Sequence, residues 1–237
     1  MLLTLVICYW VFSVALGLWA ALRVKNTRDF AVAGRHLPFY MVTATVFATW
    51  FGSEAVLGIP ATFIDGSLRD IVADPFGAAL CLILVGVFFA APLYRMKLLT
   101  IGDFYKRRYG RSVEVLTTLA IVLSYLGWVG AQLTALGLVF NVVSDGAISM
   151  TAGMWIGAGS ILIYTLFGGM WAVAITDLVQ MIVIVLGLLY IGGEVSDMVG
   201  GVSVVVDHAA AAGKLEFWPE ADLKAIIAFM AAACTMM

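Results

Sequence analysis

Charged residues are scarce in this 237-residue sequence. Asp, Glu, Lys and Arg make up 12% of it, apolar residues make up 63%, and the mean hydropathy is +1.07. Soluble domains carry about 25% charged residues and at most about 50% apolar ones. The composition therefore excludes a water-soluble globule, a disordered chain and, for want of a basic face, a nucleic-acid-binding protein. It predicts a helical protein that crosses a lipid bilayer several times.

Cysteine and histidine are also sparse, and their spacing excludes several kinds of site. Three cysteines lie far apart in apolar runs and two histidines lie in polar gaps, so no metal-ligand or redox pair forms. The Gly213-Lys214 pair lacks the glycine-rich loop that binds nucleotide phosphates.

A signal peptide is positively charged before its apolar core, whereas Arg23, Lys25 and Arg28 follow the first apolar run. We therefore expect a retained first span and predict no enzyme activity, nucleotide partner or organic cofactor.

Long apolar runs dominate what is present. About 20 apolar residues cross a bilayer, and the runs of about that length cover residues 2–22, 38–64, 75–94, 115–144, 147–167 and 170–192. A seventh run begins at Ala225 and is cut short by the end of the sequence. The polar segment 193–223, which contains the apolar stretch Val195–Val206, is predicted to be an external loop with a short interfacial helix. Gly153 and Gly157 match a motif of small residues that packs helices together.

Lysine and arginine divide unequally between the two sets of connecting segments. One set holds ten of them against three acids, a net charge of +7, and the other holds three against ten acids, a net charge of −7. Cytoplasmic segments of membrane proteins are enriched in Lys and Arg. The N-terminus is therefore predicted outside, and the basic segments in the cytoplasm, of a multi-pass plasma-membrane protein. Glu54 and Asp177 belong to neither set because they lie inside predicted spans.

Glu54 lies near the middle of the second run, after Gly52-Ser53 and before Gly58-Ile-Pro60. A charged residue at mid-bilayer costs about 2.5–3.5 kcal/mol, and glycine and proline weaken the surrounding helix. Lipid tolerates an unwound stretch only where it lines a cavity, as in the broken helices of transporters. Gly52, Ser53 and Glu54 are therefore predicted to line a solute or ion pathway. The alternative is a proline kink packed against its neighbours, with Glu54 hydrogen-bonded or protonated.

Two other spans carry polar side chains at helical spacing. Asp177 and Gln180 are neighbours on the sixth run, where they form either a gate on a cation pathway or a partly hydrated group near the cytoplasmic face. Tyr125, Trp128 and Gln132 form a stripe on the fourth run. Hydrogen bonding between helices explains this stripe as well as a cavity does. Tyr125 and Gln132 are nevertheless candidates for solute binding.

Four stretches resemble the sodium:solute symporter family. They are DFAVAGR at 29–35, the interrupted run Ala48–Pro60, TIGDFYKRRYG at 100–110, and the pattern YTxxGGxxAVxxTDxxQ over Tyr164–Gln180. The resemblance implies an all-α polytopic membrane bundle with the leucine-transporter-like inverted-repeat fold. Residues 1–237 would form a single transporter domain, incomplete at its C-terminus. Its parts are an extra N-terminal helix (1–22), the first five-helix repeat (38–193), an external loop (194–223) and the start of the second repeat (224–237).

The resemblance also implies a function. Family members are secondary transporters that couple inward sodium flow to the import of a small organic solute by alternating access, and each Na⁺ contributes about 2.3 kcal/mol per 100 mV. Backbone carbonyls that match Ala48 and Phe51 supply half of the sodium site, and the other half belongs to a helix beyond residue 237. Asp177 matches a family carboxylate near the inner cation pathway. The alternatives are a transporter-like sensor domain of a histidine kinase and an inactive truncated fragment.

Overall fold

A computed structural model describes residues 2–234, which fold into helices joined by short connections. The helices are α1 (Leu2–Ala21), α2 (Thr27–Val32), α3 (Phe39–Trp50), α4 (Ile59–Asp65), α5 (Ala78–Leu84), α6 (Ala91–Arg95), α7 (Ile101–Tyr109), α8 (Arg111–Val143), α9 (Met150–Met198), α10 (Val202–Ala211) and α11 (Leu223–Cys234). π-Helical turns directly precede α4, α5 and α6, so Glu54–Asp65 and Val72–Arg95 are continuous helices. The all-α prediction is confirmed. Residues 235–237 of the predicted second repeat lie outside the described residues.

Among the described residues, four helices are long and apolar enough to cross a membrane, namely α1, Val72–Arg95, α8 and α9. The pair Phe39–Trp50 and Glu54–Asp65, bent by 58°, makes a fifth candidate. α9 has 49 residues, about 74 Å at 1.5 Å per residue, against a hydrocarbon core of about 30 Å. Gly169 interrupts it with non-helical dihedrals (φ 49, ψ −140), at the point where the sequence separates the fifth and sixth runs.

Met1–Trp50 and Leu98–Val183 form one compact unit, in which α1 packs on α9. The Trp10 Nε1–H donates to Ser160 Oγ at 3.1 Å. A Cβ on Gly17 would lie 2.8 Å from the Tyr164 ring, so the close approach of the two helices requires glycine. Lipid tails are as apolar as leucine side chains, and contacts of this kind are therefore what hold membrane helices together.

Small residues also bring α8 and α9 together within this unit. A Cβ on Gly153 would lie 3.1 Å from the Cα of Gly137, and one on Gly157 would overlap the Leu136 side chain. The predicted packing role of Gly153 and Gly157 is therefore confirmed. This contact holds α8 beside α9 at Leu136 and Gly137, just beyond the polar stripe that ends at Gln132.

Phe51–Lys97 and Ile184–Met237 form the second unit, which contains the predicted external loop. α9 continues through Gly192 and Gly193 to Met198, and a short helix, Val202–Ala211, follows it within the predicted loop. A helical glycine costs only about 1 kcal/mol, which does not end a helix by itself. The apolar stretch at Val195–Val206 is therefore divided between two helices.

The chain after α10 pairs with the turn that follows α4. The Leu68 N–H donates to the Lys214 carbonyl at 2.9 Å, and the Arg69 N–H donates to the Glu216 carbonyl at 3.0 Å. Phe217 then packs edge-on against Phe229 of α11, with ring centroids 5.6 Å apart. The second unit thus holds its loop against its own helices through backbone pairing and aromatic contacts.

Candidate functional site

The second predicted span is broken where the sequence predicts it. α3 ends at Trp50, Phe51 and Gly52 are non-helical, and a π-helical turn over Glu54–Gly58 leads into α4. Glycine lowers helix propensity, and Pro60 has no N–H to donate within the helix. The pair of helices bends by 58° across this interruption.

The residues predicted for sodium and solute binding at this bend form one contiguous stretch. Ala48 lies in the last turn of α3, and Phe51, Gly52 and Ser53 follow it, all of them half-buried, whereas Glu54 is exposed. Within residues 2–234, no group of three or more His, Cys, Asp or Glu side chains is placed to hold a metal ion.

A cavity of about 310 Å³ lies between the C-terminal end of α3 and the middle of α8. We call it the aromatic cavity, and it is lined by Thr49, Trp50, Ser124, Tyr125 and Trp128. The rings of Tyr125 and Trp128 meet edge to face, with centroids 6.2 Å apart. Aromatic faces carry the negative part of the ring quadrupole and attract cations. Two indoles, a phenol and two hydroxyls therefore suit a small organic cation better than an anion.

The aromatic cavity includes one of the two solute-binding candidates on α8. Tyr125 lines it, whereas Gln132, one turn beyond Trp128, is not among the lining residues. Sequence reasoning missed Thr49 and Trp50 as cavity residues. The position of Trp50 next to the predicted break could have identified it as a candidate. Its place opposite α8 in the cavity is a tertiary contact, which helical spacing does not reveal.

Asp177 is half-buried on α9 and lies beside Thr45 of α3, whose hydroxyl donates to the Met41 carbonyl at 3.0 Å. Thr176 beside it is buried, and its hydroxyl donates to the carbonyls of Ala172 at 2.9 Å and Val173 at 3.0 Å. Gln180, the predicted companion of Asp177, lies half-buried one turn further along the helix.

One face of α3 joins this carboxylate to the aromatic cavity. The Thr49 hydroxyl donates to the Thr45 carbonyl at 2.8 Å, so the partner of Asp177 and a cavity-lining residue lie one helical turn apart, a rise of about 6 Å. Nothing in the sequence distinguishes Thr45 from Thr43 and Thr49, the other threonines of α3. Its position beside Asp177 becomes visible only in the folded structure.

Comparison with known proteins places these features in a family. The family model described as "SSF: Sodium:solute symporter family" matches residues 30–232. High-affinity choline transporter 1 of Torpedo marmorata is 31% identical over 193 residues, which cover 77% of this chain and 33% of that protein. The choline transporter of Homo sapiens shares 31% over 191 residues, with the same coverage. Sodium/glucose cotransporter 1 of Ovis aries shares 26% over 210 residues, covering 86% of this chain and 31% of the relative.

The chain thus spans about a third of the length of the curated relatives that it matches. A solved structure of a Na⁺-coupled sialic acid symporter, substrate-bound and outward-open, superposes with a TM-score of 0.84. The match covers 99% of this chain and 49% of that one, at 21% identity. The chain therefore has the fold of that part of a Na⁺-coupled symporter, as the family resemblance implied.

Proposed function

We propose that this chain, which belongs to the sodium:solute symporter family, carries the first repeat of a sodium-coupled symporter that imports a small organic solute by alternating access. The observation that carries the proposal is the broken span Phe39–Asp65, with the aromatic cavity beside the end of α3. Broken helices expose backbone groups and half-helix ends near the middle of a bilayer, which transporters use to bind ions and solutes.

The coupling ion is Na⁺, bound in part by the carbonyls of Ala48 and Phe51. Ala48 lies in the last turn of α3 and Phe51 directly follows it, at the end of the helix where the dipole carries about −0.5 charge. The family resemblance assigns the remaining ligands to a helix beyond this chain. Na⁺ is transported rather than resident, so it needs a site that releases it as well as binds it.

The transported solute is a small organic cation of the quaternary-ammonium type. Each aromatic face in the cavity contributes about 0.5–2 kcal/mol to binding a cation, more when the cation is desolvated. Relatives named high-affinity choline transporters support this class of solute. Gly52, Ser53 and Glu54 line the solute path at the bend, and Gln132 lies further along the same helix as the aromatic lining.

Asp177 and Gln180 act on the cation pathway. The proximity of Thr45 to Asp177, together with the hydrogen bond from Thr49 to Thr45, connects this pathway to the aromatic cavity within one packed unit. The charge asymmetry of the connecting segments favours an outside N-terminus and cytoplasmic basic segments. The inner end of the pathway then lies on the side of the basic segments.

Equilibrium binding to the full-length transporter tests the solute class. We expect radiolabelled choline to bind at least tenfold more tightly than its neutral carbon isostere 3,3-dimethylbutan-1-ol, because only the cation gains from the aromatic faces. Trp128→Leu should weaken choline binding about tenfold and leave the isostere unchanged. Trp155→Leu, at an exposed tryptophan of α9 that does not line the cavity, is the matched control.

Equal binding of choline and its isostere, or an unchanged affinity in Trp128→Leu, would overturn the cationic solute. Sodium-dependent uptake of an uncharged solute by the same preparation would overturn the solute class while supporting the symporter. The two parts of the proposal are therefore separated by the same set of measurements.

A further inference from the structure

We propose that the junction of α7 and α8 binds the anionic headgroup of a membrane phospholipid. This basic corner consists of α7, Gly110 and the first turn of α8. The inference does not depend on the proposed transport function, since it requires only that α8 crosses a bilayer.

α7 is a fixed element rather than a loose linker. The Asp103 carboxylate accepts hydrogen bonds from the backbone N–H groups of Leu99 and Thr100, both at 3.0 Å, and closes a capping box at the start of the helix. These bonds, with nearby Arg107 and Lys106, hold the pKa of Asp103 below its usual range. The carboxylate therefore stays ionised and committed to the cap across the physiological pH range.

α7 folds back along the first two turns of α8. A Cβ on Gly102 would lie 3.2 Å from Thr118 Oγ1, and Lys106 Nζ lies 3.5 Å from the Glu114 carboxylate. Gly102 and Lys106 are one turn apart and mark the face of α7 that meets α8. The ion pair also neutralises Glu114, the acid nearest to this end of α8.

The length of α8 places this corner at headgroup depth. Its 33 residues extend about 50 Å, some 20 Å more than the hydrocarbon core of a bilayer. The polar start of the helix carries Arg111 and Glu114, whereas its middle is apolar, so the excess length is greatest at this end. α7, packed beside these first turns, therefore lies among the headgroups.

The exposed side of α7 has the chemistry of an interfacial helix. Opposite the face that meets α8 are Ile101, Phe104 and Arg108, so apolar side chains and a cation share one surface. The Arg108 guanidinium lies 5.6 Å from the centre of the Tyr109 ring, and its Nε–H donates to Tyr109 Oη at 3.2 Å. Tyrosine and arginine in this arrangement are typical of the membrane–water interface.

The positive charge of the corner is not balanced by protein acids. Within residues 2–234, no carboxylate lies within 4 Å of the charged nitrogens of Arg108 or Arg111, and both side chains are exposed. They flank Gly110, whose φ of +93 turns the chain from α7 into α8. Guanidinium groups bind phosphate oxygens in bidentate geometry. Two exposed guanidinium groups near one turn have the charge and the donors to bind the phosphate of an anionic glycerophospholipid.

Lipid titration of the purified full chain in a neutral detergent, followed by native mass spectrometry, tests the proposal. We expect phosphatidylglycerol to bind more tightly than phosphatidylcholine, and 0.5 M NaCl to weaken that preference. Arg108→Gln and Arg111→Gln should each reduce the preference about fivefold, and together about 25-fold. Lys224→Gln, at an exposed lysine of α11, is the matched control and should change nothing.

A double variant that keeps both charges, Arg108→Lys with Arg111→Lys, should retain most of the preference, which separates loss of charge from misfolding. Circular dichroism and size-exclusion profiles establish that each variant remains folded. Equal affinity for the two lipids, or an equal loss in Lys224→Gln, would overturn the proposal. Binding of free sn-glycerol 3-phosphate as tightly as phosphatidylglycerol would also overturn it, because the site would then recognise soluble phosphate rather than a lipid.

Discussion

Two helical segments of this protein are interrupted at glycine, and the interruptions differ in what surrounds them. After Trp50 the helix bends by 58°, and the stretch that follows carries the exposed carboxylate of Glu54. At Gly169 the chain is buried, and the position of a Cβ is filled by the carbonyl and ring of Phe30. The break after Trp50 therefore carries an exposed polar group, whereas the break at Gly169 is covered by Phe30 of the same unit.

A glycine in a long apolar helix therefore indicates a break, but it does not indicate whether the break binds a ligand or lets another segment pack closely. Polar neighbours, here Ser53 and Glu54, distinguish a break that can bind a ligand from one that lets another segment pack closely. Gly169 also needs glycine for its backbone, because its φ of +49 lies in the left-handed region that other residues rarely adopt.

Replacing Gly169 by Ala should have the largest effect, and it should be on stability. Backbone strain at a positive φ costs about 1–3 kcal/mol, and overpacking against Phe30 adds about 1–3 kcal/mol. We therefore expect the free energy of unfolding in detergent to fall by about 2–6 kcal/mol. Gly187→Ala is the control, since its Cβ would meet nothing within 4 Å. Equal stability of the two variants would show that the second break is not a packing site.

Replacing Glu54 by Ala should reduce activity rather than stability. We expect sodium-dependent uptake by the full-length transporter to fall about tenfold, with unchanged membrane insertion, because loss of one charge-assisted contact costs about 1.4 kcal/mol or more. Glu194→Ala, at an exposed acid of α9, should leave uptake unchanged. Unchanged uptake kinetics in Glu54→Ala vesicles would remove the functional role of the first break.

Replacing Thr45 by Val tests whether Asp177 acts together with the first break. The change preserves side-chain shape and removes the hydroxyl beside the Asp177 carboxylate, where a hydrogen bond to a charged group is worth about 1.5–3 kcal/mol. We expect the sodium concentration for half-maximal uptake to rise about tenfold. Thr43→Val is the matched control, because the hydroxyls of Thr43 and Thr45 donate alike to the carbonyls of Phe39 and Met41, both at 3.0 Å, whereas Thr45 also lies beside Asp177. A similar shift in both variants would indicate a general effect on α3.

The smallest expected effect lies at α7, away from both breaks. The pKa of Asp103 is lowered in the folded protein by its backbone hydrogen bonds. Its contribution to stability is therefore fully present above the ordinary aspartate pKa of about 3.9 and is lost as pH falls through the lower folded value. The difference in melting temperature between wild type and Asp103→Asn should be constant from pH 5 to 7 and shrink below pH 4. A difference that is independent of pH would contradict this assignment.

Local chemistry made much of the fold predictable. Apolar length located the spans, and Gly52 and Pro60 located the first break because both weaken a helix wherever they occur. The end of α9 was not predictable from Gly192 and Gly193, because glycine only lowers helix propensity and the helix continues to Met198. Periodicity indicates which residues share a face, but it does not identify the neighbour that the face meets.

The candidate site was less predictable for that reason. Tyr125 and Trp128 are recognisable as a stripe on α8, but their pairing with Thr49 and Trp50 depends on how α3 and α8 pack. The contact between Thr45 and Asp177 joins residues 132 positions apart in the sequence. Contacts of this kind follow from tertiary structure and leave no local pattern.

Uptake of labelled choline into proteoliposomes that contain the full-length transporter tests the central claim most directly. An inward sodium gradient should drive choline above its equilibrium level, and a sodium ionophore should abolish the accumulation. Trp128→Leu should lower it, whereas Trp155→Leu should not. Choline entry that is the same under sodium and potassium gradients would contradict sodium-coupled transport of a cationic solute by this protein.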